Sequence, residues 1–262
     1  MISMYGRLIR ASLKASMQYK WNFLISSTMM GLLMIIDFIV IAVLLWRFDN
    51  IRGWNLYEIG LLYGTVSLSD ALVRFIASEM QDFDKYIIQG EFDSLLVKPV
   101  SPLILLITRK IDISRLGPVF QASLIICFCL YFLSQQGQSI GPLLLFLPFV
   151  ILCGMLVCFS LLLIMCTISF LIGKGSELMV FFYYAPLNAA KYPISLYSNW
   201  LKALFFSLIP VGYMGYLTFS YLLEKGGSMW QFLFVPVAVI AFFGLSISFW
   251  NYGIRHYHST GQ

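Results

Sequence analysis

The sequence predicts an all-α, polytopic membrane protein with six transmembrane helices. Of its 262 residues, 60% are hydrophobic and only 11% are charged, whereas about a quarter of the residues in a soluble domain are charged. The apolar residues also form several runs of about 20 residues, the length that a helix needs to cross a bilayer. A membrane β-barrel would instead show alternating segments of about ten residues, which do not occur here. We interpret residues 1–262 as one transmembrane domain.

The N-terminal segment, residues 1–22, is predicted to form an interfacial helix on the cytoplasmic surface. Arg7, Arg10 and Lys14 recur there at helical spacing beside an apolar side, as in helices that lie in the membrane interface. The apolar run Phe23–Trp46 follows. It is too long for a signal peptide and has no small-residue cleavage site, so we predict that it is the first span.

Five further spans are predicted from apolar runs of membrane-crossing length. A short turn without charge, residues 134–141, separates the third span from the fourth. The five spans are Leu56–Ala77, Leu116–Leu133, Pro142–Ile172, a span that begins near Leu178, and Phe232–Trp250.

The segment before the last span is predicted to be broken. Trp200–Leu223 is long enough to cross the membrane, but Pro210 and Gly212 interrupt its centre. Broken helices at membrane depth are tolerated where protein or a water-filled cavity covers them. We therefore predict an extracellular re-entrant hairpin within residues 191–225.

The basic residues orient this topology. If both termini lie in the cytoplasm, twelve of the 17 Lys and Arg residues lie inside and five lie outside. This distribution agrees with the excess of positive charge on cytoplasmic loops of membrane proteins. It also places residues 78–102, between the second and third spans, in the cytoplasm.

This cytoplasmic loop, residues 78–102, carries an unusual pattern of acidic and apolar residues. Gly90 is able to end one short helix, and Pro99 and Pro102 are able to stop another. Apolar groups on a short surface helix indicate a partner or the membrane surface. The alternative is an inert connecting loop.

Two segments resemble ABC-2 type transporter permeases of the daunorubicin-resistance-like kind. The first is GEFDSLLVKPVSPL in the cytoplasmic loop, and the second is YPISLYSNWLKALFFSLIPVGYMGY, which is similar to the extracellular half-helices of that family. In the second segment the matching positions are Tyr192, Pro193 and Pro210. In the first they are Gly90, Glu91, Asp93, Leu95, Leu96, Lys98, Pro99, Ser101 and Pro102.

The resemblance implies the permease subunit of an ATP-driven exporter in the plasma membrane of a prokaryote. Two permeases, identical or paralogous, would form the pathway with two cytoplasmic ATPase subunits, which would bind ATP and Mg²⁺. This chain would then need no cofactor of its own and would bind no nucleic acid. Its substrate would be a drug, a lipid, a glycolipid or another amphipathic molecule. The residues that would couple it to the ATPase are Phe83, Tyr86, Glu91, Phe92, Asp93, Leu95, Leu96 and Lys98.

Charged and aromatic residues within the spans are candidates for the transport pathway. Asp37 lies midway along the first span, where a carboxylate is costly and indicates either a functional site or structural pairing. Asp70 and Arg74 lie four residues apart, so we expect them to pair with each other. Phe181 and Tyr184 belong to an aromatic cluster that would line a pathway or serve only in packing.

Two other functions compete with an exporter. A secondary transporter driven by protons through Asp37 would require a relay, but no span contains a His residue. A membrane enzyme acting on lipids would require a catalytic constellation, and the sequence shows no clustered His, Cys or Ser/Lys set, so we predict no catalytic or metal site. The sequence GKGS, Gly173–Ser176, is not a phosphate-binding loop because Ile168 stands where that motif has glycine.

Overall fold

The computed structural model describes residues 10, 14, 20–48, 50–173 and 175–257. The predicted interfacial helix at residues 1–22 lies almost entirely outside them. The all-α class is confirmed, since the described residues form helices and turns with one isolated β-bridge. The α-helices are α1 Lys20–Phe48, α2 Leu56–Ile76, α3 Asp84–Ile88, α4 Glu91–Leu96, α5 Pro102–Arg109, α6 Leu116–Gln135, α7 Ile140–Ile172, α8 Ala185–Ala190, α9 Asn199–Ser207, α10 Tyr216–Leu222 and α11 Met229–Arg255.

Shorter helical turns connect these helices. A π-helix, Val180–Tyr184, leads directly into α8. The 3₁₀ turns are Ser78–Asp82, Ile113–Arg115, Gly175–Leu178, Ile194–Leu196 and Val211–Met214.

Within the described ranges, five helices are long and apolar enough to cross a membrane. They correspond to the first, second, third, fourth and sixth predicted spans. Their spanning portions are Trp21–Val43, Leu56–Ile76, Ile113–Gln135, Ile140–Ile172 and Met229–Arg255.

The fifth predicted span, which begins near Leu178, is shorter than expected. Helical turns run continuously from Gly175 to Ala190, which is about 24 Å at 1.5 Å per residue. This falls short of the hydrocarbon core, which is about 30 Å thick. Pro193 follows closely and prevents the helix from continuing past Tyr192. That this segment crosses the membrane, which would bring the number of crossings to six, therefore stays a prediction.

Helix α2 forms the centre of the bundle. It is buried on nearly every side, and it packs against α6 and α7, whereas α1 and α11 lie at the periphery. Two glycines allow close approach to α2, as small residues do between membrane helices. Gly64 faces Ile126 of α6, and Gly154 of α7 faces Ser69 so closely that a side chain at either glycine would clash.

The predicted break in Trp200–Leu223 is present. Helix α9 ends at Ser207, and the 3₁₀ turn Val211–Met214 separates it from α10. The turn is buried against α7 beside Gly154. Because Gly154 lies fourteen residues from the start of α7, the turn reaches about 21 Å along that helix at 1.5 Å per residue.

Both ends of this broken segment contact the same loop between α1 and α2. The Arg52 guanidinium donates to the carbonyl of Ser195, and Lys225 Nζ donates to the carbonyl of Gly53 at 2.6 Å. Lys225 Nζ also lies 2.9 Å from the carboxylate of Glu58, which is fully buried. The segment therefore begins and ends at one end of the bundle, while its placement relative to a bilayer stays a prediction.

Candidate functional site

The charged segment, residues 78–102, folds onto the opposite end of the bundle from the Arg52 loop. Gly90 adopts a left-handed conformation, with φ of 66°, between α3 and α4, as predicted for a glycine that ends a helix. Helix α4 ends before Pro99. The prediction that Pro102 stops a helix is wrong. Pro102 instead occupies the first turn of α5, where its fixed φ and missing N–H are tolerated.

Four of the eight residues predicted to couple to an ATPase are buried within the chain itself. Phe83, Tyr86, Phe92 and Leu95 are at most 3% exposed, so they pack against the rest of the chain. The sequence pattern reveals that these side chains share an apolar face, but it does not reveal what that face covers. Here the face covers the end of the bundle.

Phe92 is the centre of an aromatic cluster that fixes α4 to the long helices. Its ring lies 4.9 Å from the ring of Phe170 in α7 and 6.3 Å from that of Trp250 in α11, between centroids. Tyr257 lies 5.2 Å away. Edge-to-face aromatic pairs contribute about 0.5–1.5 kcal/mol beyond their buried area. The cluster therefore joins the charged segment to two membrane-spanning helices.

Tyr86 and Tyr257 lie close to acidic residues of the charged segment. The Tyr86 hydroxyl donates to the carboxylate of Glu79, and the guanidinium of Arg109 lies 4.9 Å from its ring centroid. Burial, together with the Glu79 carboxylate, raises the pKa of Tyr86. Burial, together with the negative charge of Asp93, likewise raises the pKa of Tyr257. Both shifts move the phenols further from ionisation, which a phenol already resists at neutral pH.

The other predicted coupling residues lie toward the surface. Glu91, Leu96 and Lys98 are exposed, and Asp93 is half-buried. Glu91 forms an ion pair with Arg109 at 3.0 Å. Val97, which we had not singled out, is 84% exposed. The outer face of α4 and the residues after it therefore present Leu96, Val97 and Lys98 to the surroundings.

Asp84 was not predicted as a functional residue, yet it connects the charged segment to the turn after α7. It is 8% exposed, and its Oδ1 accepts hydrogen bonds from Ser169 Oγ at 2.6 Å and from the backbone N–H of Gly175 at 3.1 Å. The sequence contains a signal for this contact. Asp84 is an acid among apolar residues, and the Gly-rich turn after α7 is predicted on the same side of the membrane. Asp84 thereby holds the start of the Gly175–Ala190 segment.

A polar cavity of about 320 Å³ lies between α1, α2 and the Gly175–Ala190 segment. Asp37 and Tyr184, which were predicted to line a pathway, both line it. Phe181 is 68% exposed and is not one of the lining residues. The reason is the π-helix, which has more residues per turn than an α-helix, so residues three apart no longer share one face.

The predicted pairing of Asp70 with Arg74 is confirmed, at 2.9 Å. The Tyr183 hydroxyl donates to Asp70 Oδ1 at 2.7 Å. The Arg74 guanidinium carbon lies 5.5 Å from the ring centroid of Tyr183 and 5.0 Å from that of Tyr184. Two consecutive tyrosines of the π-helix thus contact one ion pair of α2, and π-helical turns often mark functional sites.

Lys191 completes the cavity wall, although sequence reasoning had counted it among the loop residues. Its Nζ donates to Asn188 Oδ1 at 2.9 Å and lies 5.2 Å from the ring centroid of Tyr63. A second cavity of about 240 Å³ adjoins the first and is lined by Asp37, Tyr63 and Lys191 as well. The sequence feature that indicates this position is that Lys191 directly follows a helical segment too short to cross the membrane.

Comparison with known proteins identifies the family. The chain matches the family model described as ABC-2 family transporter protein over residues 32–261. The chain belongs to the ABC-2 transporter family. No curated protein and no solved structure matches it. Membership implies a membrane protein of transport function and not a catalyst, and ABC-2 permeases generally work with a cytoplasmic ATPase.

Proposed function

We propose that this ABC-2 family member is the permease subunit of an ATP-driven exporter of amphipathic molecules, in the plasma membrane of a prokaryote. The observation that carries the proposal is the family match over residues 32–261. Two such permeases, identical or paralogous, form the pathway together with two cytoplasmic ATPase subunits. ATP and Mg²⁺ bind to the ATPase.

The ATPase docks on the outer face of α4. Val97 and Leu96 are exposed apolar residues, and Lys98 adds a positive charge beside them. Exposed apolar patches bordered by polar residues are typical of interaction surfaces. The buried residues Phe83, Tyr86, Phe92 and Leu95 support this face from behind, and Glu91 and Asp93 border it.

Movement at the docking face reaches the cavity through Asp84. Asp84 holds Gly175 by a hydrogen bond, and Gly175 begins the segment that carries Tyr184 and Lys191. A shift of the charged segment therefore displaces one wall of the cavity. In the membrane, we place Gly175–Ala190 as the fifth of six crossings and residues 191–225 as an extracellular re-entrant segment, with both termini in the cytoplasm.

Val97→Asp tests the docking face. A charge at an exposed apolar position leaves the fold intact but opposes burial against the ATPase, so we expect the ATPase to dissociate and ATP-driven transport to fall at least about tenfold. Ser139→Asp, an exposed position at the other end of the bundle, is the matched control. Co-purification and transport in proteoliposomes are the readouts. Normal co-purification of Val97→Asp would place docking elsewhere.

A proton-coupled transporter is the second candidate, since Asp37 lines a cavity at membrane depth. Such a protein would transport its substrate in response to a pH gradient without any ATPase. Proteoliposomes that contain the permease alone distinguish the two functions. Uptake driven by the pH gradient and abolished by Asp37→Asn would favour this second candidate, whereas transport only with ATP and the ATPase favours the exporter.

A further inference from the structure

Two charged side chains of opposite sign line the cavity from different sides. Asp37 belongs to α1, and Lys191 directly follows α8. The remaining charges of the cavity are neutralised in pairs, since Arg74 binds Asp70 at 2.9 Å and Arg115 binds Asp112 at 3.1 Å. Across the part of the chain that the structure describes, Asp37 and Lys191 attract each other but form no ion pair.

Lys191 is held apart from Asp37 by local contacts. Its Nζ is anchored to Asn188 on its own segment and lies over the Tyr63 ring. The Tyr63 hydroxyl in turn donates to the Met34 carbonyl of α1 at 2.9 Å. The ring of Tyr63 therefore contacts Lys191 on one side and is tied to α1 through its hydroxyl, and it lines both adjoining cavities together with Asp37 and Lys191.

We propose that this cavity binds the head group of an amphiphile that carries both an ammonium and a phosphate group. The ammonium binds Asp37, and the phosphate binds Lys191. A head group with both charges satisfies both side chains at once, while a singly charged one leaves a charge uncompensated at membrane depth, where this is costly. The inference rests on the proposed export function and names the substrate class for it.

The tail of the amphiphile lies along α1. The cavity volume of about 320 Å³ is at the lower end of the range for ligand pockets, about 300–1,000 Å³, so it accommodates a head group but not acyl chains. Met30 and Leu33 line the cavity, and Leu33 is 63% exposed on a surface that continues to Ile36. An apolar surface thus leads from the cavity along the helix toward lipid.

Three fluorescent probes with one acyl chain in common test the head-group preference. Their head groups are phosphoethanolamine, N-acetylated phosphoethanolamine and a primary amine without phosphate, so they are zwitterionic, anionic and cationic. The full chain is purified in a nonionic detergent, which does not compete for charged groups, and binding is measured by fluorescence anisotropy. We expect the zwitterionic probe to bind at least about tenfold more tightly than either other probe, as the loss of one charged hydrogen bond predicts.

Two variants test which charge of the head group binds Asp37 and which binds Lys191. Asp37→Asn should weaken binding of the zwitterionic and cationic probes at least about tenfold, while the anionic probe binds at least as tightly as before, because its repulsion by Asp37 is removed. Lys191→Gln should weaken binding of the zwitterionic and anionic probes, while the cationic probe binds at least as tightly as before. The retained probe shows that each variant is folded. Asp82→Asn and Lys85→Gln, which remove an exposed ion pair of the charged segment, are matched controls and should change nothing.

Equal binding of the three probes, or losses of affinity in the variants that do not follow the charge of the probe, would overturn the proposal. The export function is tested separately, by ATP-driven transport in proteoliposomes with the ATPase. Transport without any head-group preference keeps the exporter and refutes the head-group site. Charge-dependent binding without ATP-driven transport keeps the site and refutes the exporter.

Discussion

Asp84 lies where the charged segment meets the end of α7. Its carboxylate accepts from a side-chain hydroxyl and from a backbone N–H, both in a buried environment. Buried donors that lose their acceptor cost more than the bond itself contributes, because they cannot be solvated. The residue therefore stabilises the fold and also positions the segment that lines the cavity.

Asp84→Ala should lower the stability of the protein by about 1–3 kcal/mol, since it leaves the Ser169 hydroxyl and the Gly175 N–H without their acceptor. Asp84→Asn retains a side-chain oxygen and should lose less. Thermal unfolding of the purified protein measures both. Asp82→Ala, at a side chain that is 61% exposed, is the control and should unfold like the wild type. An Asp84→Ala protein as stable as the wild type would contradict the anchoring role.

Some residues of the candidate site were predictable from the sequence and others were not. Asp37 could be found because a carboxylate in mid-span is unusual, and the Asp70–Arg74 pair because four residues make one helical turn. Lys191 and Asp84 were missed, since the local signals at these residues do not identify their partners, which depend on where a short helix ends and on how a loop folds back. Such contacts between distant residues leave no local periodicity in the sequence.

At the scale of elements, the length of an apolar run predicted the long helices well. Hydropathy could not predict the short Gly175–Ala190 segment, because a hydropathy profile registers neither the stop at Pro193 nor the π-helical turn that packs against α7. It also could not tell which way α4 faces. The alternation of apolar and acidic residues indicates a two-sided helix, and the structure shows the apolar side packed on Phe170 and Trp250.

Phe92→Ala should show whether the packing of α4 on the bundle stabilises the permease by itself, apart from any contact with the ATPase. Removing a fully buried aromatic ring costs about 3–5 kcal/mol, so we expect a lower unfolding temperature for the permease alone, without any partner. Phe181→Ala makes the same chemical change at a ring that is 68% exposed and should leave the unfolding temperature unchanged. If the two variants are equally stable as isolated permeases, the aromatic cluster does not anchor α4.

At the scale of the whole molecule, the two ends of the bundle carry different structural elements. One end carries the charged segment and its aromatic anchor, and the other carries the loop at Arg52 and Gly53 with both ends of the broken segment. In the proposed exporter, the first end faces the ATPase and the second faces the cell exterior.

Single cysteines in a background without the five native cysteines test this orientation. Ser139→Cys and Glu224→Cys, both exposed at the end that carries the Arg52 loop, should react with a membrane-impermeant maleimide added outside intact cells. Ser94→Cys in α4, also exposed, should react only after the cells are opened. Reaction of Glu224→Cys solely from the cytoplasm would mean that residues 191–223 cross the membrane completely.

The Glu58–Lys225 contact has a consequence for the order of biosynthesis. Glu58 is buried with its carboxylate against an ammonium that belongs to a much later part of the chain, and Lys225 is 172 residues from Gly53, its other partner. At about 5–20 residues per second, the ribosome needs roughly 10–30 s to make the intervening chain. Until then the Glu58 carboxylate has its local hydrogen bond from the Asn55 N–H but not its ammonium partner. The contact that joins the start of α2 to the late part of the chain therefore forms only when the chain is nearly complete.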